Sequence, residues 1–178
     1  MTSVRNDLAR KIYAVAHLRG TFTLRSGQMS TEYFDKFQFT SRPDLLEAVA
    51  EAMAEIVPPD VEVLAGLQLG GVPLAAALAL KTRIPAVYVR LQRKSYATQK
   101  IAEGVDLNGK VVAIVEDVVS TGGQIVLSAE DLRQEGADVR YALAVVDRET
   151  GGGENLAAAG LGYRFLVTSG GLERAALS

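Results

Sequence analysis

Between Val63 and Leu80 the chain carries no charged residue, and Gly66, Gln68, Gly70, Gly71 and Pro73 interrupt that run at its centre. An uninterrupted apolar stretch of this length could span a bilayer, but glycines and a proline in the middle break a membrane helix. The pattern instead describes a buried strand, a glycine turn and an apolar helix. Similar units follow along the chain: strand 61–65, helix 73–82, strand 85–90, strand 110–116, helix 122–135, strand 140–146 and strand 163–167. Gly136 falls where a helix C-terminal glycine belongs. Strand runs that are apolar on both faces and alternate with helices predict an α/β fold, a mainly parallel sheet flanked by helices. Ligands then belong at the carboxyl ends of the strands.

The flanking segments are read with the same rules. Val4, Leu8, Ile12, Val15 and Leu18 recur at helical spacing and predict a surface helix over 3–19, followed by a loop segment. His17 falls inside that helix and is expected to be structural. Ser41-Arg-Pro-Asp44 supplies an N-cap, an early proline and an acid for a helix that Pro58-Pro59 stops. Gly151-Gly152-Gly153 reads as a short flexible turn. No internal repeat or linker divides the 178 residues, which are expected to form one domain over 1–178.

Charge narrows the function classes. Nineteen Lys+Arg against 21 Asp+Glu leave a net charge of -2, so no global positive field draws the chain to nucleic acid or to an anionic membrane. The absence of cysteine excludes disulfides and thiolate chemistry, and a single histidine excludes a clustered imidazole site. Without a signal-peptide pattern at the N-terminus, a cytoplasmic location is expected.

The chemistry concentrates in 111–124. An apolar strand ends in Glu116 and Asp117, and acids at the end of a buried strand are costly unless something partners them. Ser120, Thr121, Gly122 and Gly123 then open a helix, where free N–H groups, hydroxyls and the helix dipole suit a phosphate. One ligand meets both demands when it carries a phosphate and, beside it, vicinal hydroxyls that donate to carboxylates. Ribose 5-phosphate is such a ligand; a solvated strand end with an ordinary capped helix is the alternative.

Two further segments point toward the same edge. Residues 81–100 hold Lys81, Arg83, Arg90, Arg93, Lys94 and Lys100 and no acid, a local positive patch suited to a polyanion. Arg148 follows a buried strand and could hold a planar carboxylate with its guanidinium fork, or could pair with Asp147 or Glu149. Tyr33 and Phe34 serve equally as core or as stacking partners.

The strand, acid pair and Ser-Thr-Gly-Gly turn resemble the signature of the type I phosphoribosyltransferases, which bind phosphoribosyl pyrophosphate (PRPP). The resemblance extends to the branch that acts on orotate through Phe22-Thr-Leu-Arg-Ser-Gly27, Tyr33-Phe34-Asp35, the turn from Gly66 to Pro73, the segment from Val89-Arg90 to Glu103-Gly104, and Val146-Asp-Arg148. It implies a phosphoribosyltransferase fold with an N-terminal helical hood and transfer of ribose 5-phosphate from PRPP to orotate in pyrimidine biosynthesis. It assigns PRPP binding to Arg90, Lys94, Tyr96, Glu116, Asp117, Val118, Val119, Ser120, Thr121, Gly122, Gly123 and Gln124. Among these, Lys94, Asp117 and Glu116 are the expected catalytic residues. Orotate falls to Arg25, Tyr33, Phe34, Ser120 and Arg148. The resemblance further implies Mg2+ held through PRPP and a homodimer whose basic loop reaches the partner's site. Relatives commonly carry Lys and His where this chain has Leu91 and Tyr96; the tyrosine can still donate a hydrogen bond, while Leu91 cannot contact an anion.

Overall fold

The computed structural model describes residues 3–23, 27–91 and 100–177. In chain order the elements are α1 (Ser3–Ala16), β1 (His17–Thr23), β2 (Met29–Phe34), α2 (Phe37–Thr40), α3 (Pro43–Ala54), β3 (Val63–Leu67), α4 (Gly71–Thr82) and β4 (Ala86–Val89). There follow β5 (Ala102–Glu103), β6 (Val111–Val119), α5 (Gly123–Gln134), β7 (Asp138–Asp147), α6 (Gly152–Ala158), β8 (Gly162–Thr168) and α7 (Ser169–Leu177).

Six strands form one sheet in the order β5-β4-β3-β6-β7-β8, parallel except where β5 runs against β4. Side chains alternate across this sheet because the strand period is two. In β6, Ala113 and Val115 join the layer of Ile12, Val49, Met53, Leu74 and Leu172 from α1, α3, α4 and α7. Val112 and Ile114 join Ile125, Leu132 and Leu156 from α5 and α6 on the other face. A strand buried on both faces needs a continuous apolar run, which 111–115 supplies.

From β3 the chain steps outward to β4 and later returns to place β6 on the opposite flank of β3, so the strand order reverses between β3 and β6. Open parallel sheets leave a crevice at such a point, beyond the carboxyl ends of the strands. Here β3 pairs with β6 only as far as Gly66 opposite Val115. From Glu116 onward β6 keeps β7 on one flank and faces the β3–α4 glycine turn on the other.

Several boundaries differ from expectation. The N-terminal helix ends at Ala16, and 17–19 belong to β1, so His17 opens a strand. The segment read as loop holds the antiparallel hairpin β1–β2 and the short α2. The hairpin's strands are largely exposed and lack the apolar alternation that marks a half-buried strand. At α3 the N-cap position is Arg42 rather than Ser41, with no side-chain cap and Pro43 in the first turn. Strand 110–116 runs on to Val119, which places the two acids inside β6. The triple glycine does not form a flexible turn: Gly151, with φ +86°, caps α6, and Gly152 and Gly153 begin it. Residues 169–177, unassigned by pattern, form α7.

Candidate functional site

Asp117 is wholly buried at the strand-order reversal. Its Oδ1 accepts from Lys36 Nζ at 3.0 Å and from the N–H of Val118 at 2.6 Å. Its Oδ2 is buried with no hydrogen-bond partner among the described residues. That oxygen lies against the glycine turn, where a Cβ on Gly70 would come within 1.6 Å of it. Gly71 and Gly66 are crowded in the same way, since a Cβ on Gly71 would stand 2.1 Å from the Val115 carbonyl oxygen. Close approach of the α4 N-terminus to β6 requires Gly70 and Gly71, and its close approach to β3 requires Gly66.

Glu116, the residue before it, accepts the Asp117 N–H at 3.0 Å, and its carboxyl lies against that of Asp117. Burial, reinforced by repulsion from Asp117, pushes its carboxyl up to about 8, against the opposing pull of Lys36. Burial thus favours the protonated form of Glu116 beside the Lys36–Asp117 pair. A buried acid needs a partner, and sequence reasoning asked for one without naming it. Lys36 lies directly after Tyr33-Phe34-Asp35, 81 positions from Asp117.

Past Val118 and Val119, Ser120 and Thr121 are exposed and lead into α5. Gly122 occupies the N-cap with φ +73° and offers no capping side chain. The first-turn N–H groups of α5 thus meet no capping side chain, the geometry an anion seeks at a helix start. Asn155 of α6 donates to the Thr121 carbonyl at 2.9 Å and ties the turn down from outside. Gln124 points along its own helix and donates to Ser128 Oγ at 3.3 Å.

Arg148 joins this region through the backbone: its N–H donates to the Val119 carbonyl at 2.8 Å. Its side chain is exposed and makes no ion pair among the described residues. The acids beside it are engaged elsewhere, Asp147 accepting the Glu149 N–H at 2.6 Å and Glu149 the Gly170 N–H at 3.0 Å. Arg148 lines a cavity of about 430 Å³ together with Tyr33 and Phe34 from the hairpin. His17, which opens β1 rather than lying in the expected helix, also lines it, stacked on Tyr13 with ring centroids 4.5 Å apart and 3.2 Å from Glu32.

The basic segment is less free than its composition suggests. Lys81 pairs with Glu51 of α3, and Arg90, just past β4, lies 3.5 Å from Glu103 of β5. Arg25, Lys94 and Tyr96 lie outside the described residues.

Comparison with known proteins agrees with this arrangement. Residues 38–158 match the family model of the phosphoribosyl transferase domain. An orotate phosphoribosyltransferase of Nocardioides sp. is 45% identical over 168 residues, covering 94% of each chain. Among solved structures, orotate phosphoribosyltransferase from Aeropyrum pernix superposes with a TM-score of 0.81 at 34% identity, covering 97% of this chain and 98% of that one. The Mycobacterium tuberculosis enzyme in complex with PRPP gives 0.82 at 29% identity, covering 96% and 99%.

Proposed function

As the chain belongs to the orotate phosphoribosyltransferases, we infer that it transfers ribose 5-phosphate from PRPP to orotate, giving orotidine 5'-monophosphate and pyrophosphate in pyrimidine biosynthesis. The observation that carries the reading is the conjunction at the end of β6: two acids, an uncapped helix start, and a cavity holding an unpaired Arg148 beside them. The orotate ring nitrogen attacks the anomeric carbon, the carbon–oxygen bond to pyrophosphate breaks with its electron pair, and the nitrogen's proton is released. Positive charge gathers on the ribose in between. Asp117 and Glu116 face the ribose hydroxyls, and the Asp117 carboxylate favours that charge, while Ser120, Thr121, Gly122, Gly123 and Gln124 receive the 5'-phosphate. Val118 and Val119 carry the strand between them. Arg148 takes the orotate carboxylate, with Tyr33 and Phe34 against the ring and Ser120 and Arg25 nearby. Arg90, Tyr96 and Lys94 meet the pyrophosphate, with Lys94 reaching the partner's site in a homodimer.

Among the described residues, no group of three or more His, Cys, Asp or Glu could hold a metal ion. With Asp117 engaged by Lys36, the donor set suits a Mg2+ ligated by PRPP oxygens and water, which would neutralise pyrophosphate charge when bound. Similarity along 94% of the Nocardioides relative supports one catalytic domain over 1–178. Among the described residues no helix is long and apolar enough to cross a membrane, and we place the enzyme in the cytoplasm with its substrates. The test is pyrophosphate release from PRPP and Mg2+ with orotate or with hypoxanthine. Release with orotate alone is expected; release with hypoxanthine and not orotate would overturn the reading.

A further inference from the structure

The partner of Asp117 is a cation that neither a ribose nor a phosphate site requires. Lys36 stands at the N-cap of α2, and Asp35 fixes the corner around it. The Asp35 N–H donates to the Ala16 carbonyl at 2.8 Å, and its carboxylate accepts from the Phe37 N–H and from the Gln38 side-chain amide, each at 3.1 Å. With the backbone held on both sides, the lysine stem reaches across to β6. Its side chain is 37% exposed, whereas that of Asp117 is 0% exposed, so Lys36 separates the carboxylate from water. Asp117 Oδ2 is shut in against Gly70. Oδ1 is therefore the oxygen that an incoming hydroxyl can reach, and Lys36 Nζ occupies its approach at 3.0 Å.

Resting on the PRPP reading, we propose that Lys36 is a positioning residue that holds the ribose's place, its ammonium occupying Asp117 Oδ1 in the empty enzyme until a ribose hydroxyl displaces it. Two demands on Asp117 conflict without such an exchange. A buried carboxylate with no partner is strongly unfavourable, so the empty site needs a cation. A cation that stayed would oppose the positive charge that develops on the ribose, so the working site needs it gone. A lysine fits both, because its compact charge on a flexible stem can move from a half-exposed position into water or toward the substrate's phosphates. Lys36 also opposes the rise at Glu116, so its departure acts on both acids.

Binding of two probes distinguishes this role from simple structural support. Inorganic phosphate and ribose 5-phosphate both present a phosphate to the α5 turn, and only the second brings hydroxyls to Asp117. In Lys36→Met the affinity for ribose 5-phosphate relative to phosphate should rise about tenfold, since the hydroxyls displace nothing and meet a carboxylate that has lost its cation and keeps only the Val118 N–H on Oδ1. Lys36→Arg should restore the ratio of the unaltered protein. If Lys36→Met does not fold, Lys36→Gln, which keeps a donor to Oδ1, carries the same measurement with a smaller rise. An unchanged ratio in a folded variant, or an equal rise in Lys36→Arg, overturns the proposal alone. Failure of ribose 5-phosphate to bind the unaltered protein would overturn the PRPP reading and this proposal with it.

Discussion

Glu116 gives the site its own pH dependence. Its carboxyl holds a proton up to about 8 in the folded protein, against the ordinary 4.5, because burial and Asp117 disfavour its charge. Folding therefore takes up a proton between those values. The stability linked to that proton is fully present below 4.5 and is lost as pH rises through 8. In the ligand-free enzyme the loss should amount to a few kcal/mol, read as a falling melting temperature between pH 5 and pH 9. Glu116→Gln, which cannot ionise, should flatten that fall; an equally steep fall in the variant would place its cause in another group. The ionised pair also suits a cationic ribose better than the protonated one, so kcat/KM for PRPP should rise over the same range in the unaltered enzyme only.

At the scale of elements, the contact between the β3–α4 turn and β6 is tight enough to be tested by one methyl group. In Gly70→Ala the new Cβ would collide with Asp117 Oδ2, so either the carboxylate turns away or α4 shifts. Overpacking should cost about 1–3 kcal/mol in denaturant unfolding and lower kcat/KM for PRPP at least tenfold. Shortening the partner tests the cause: on an Asp117→Ala background the stability cost of Gly70→Ala should largely disappear. This turn was legible in the sequence, because an uncharged strand, a glycine cluster and an apolar helix leave few alternatives. The β1–β2 hairpin was not. Its strands face solvent along most of their length, so no core-facing stripe marks them, and its place at the cavity beside Val146 and Arg148 is set by the fold. Lys36 was hidden for the same reason: the sequence shows a lysine after an aromatic pair, and only the fold brings it to Asp117. Residues 169–177 carried no pattern of their own, yet the Gly170 and Gly171 N–H groups are satisfied by Glu149 and Thr168 side chains where α7 starts.

For the whole molecule the testable question is whether one subunit completes another. Lys94→Ala and Asp117→Asn should each abolish turnover, the first by removing a cation from the leaving pyrophosphate and the second by removing charge that favours the cationic ribose. When the two variants are mixed and allowed to exchange subunits, a site that keeps its own Asp117 receives Lys94 from its partner. Half of randomly formed dimers are hybrids with one good site of two, so about a quarter of full activity should return. No recovery despite confirmed exchange would confine Lys94 to its own subunit.

The bond from the Arg148 N–H to the Val119 carbonyl works as a ruler. Arg148, proposed to meet the base, and the strand that leads to the proposed phosphate turn sit on neighbouring strands of a parallel ladder, with Val119 opposite Asp147. Their separation is the spacing between strands, about 4.8 Å, a length that hydrogen bonding holds constant however the surrounding loops vary. On that assignment the sheet fixes the distance between the strand that carries the base contact and the strand that leads to the phosphate turn. A bulkier base has to be accommodated from the β1–β2 side of the cavity, where Tyr33 and Phe34 lie. Substitutions there should change which base is accepted, measured as relative kcat/KM, whereas altering β7 should slow transfer to every base alike.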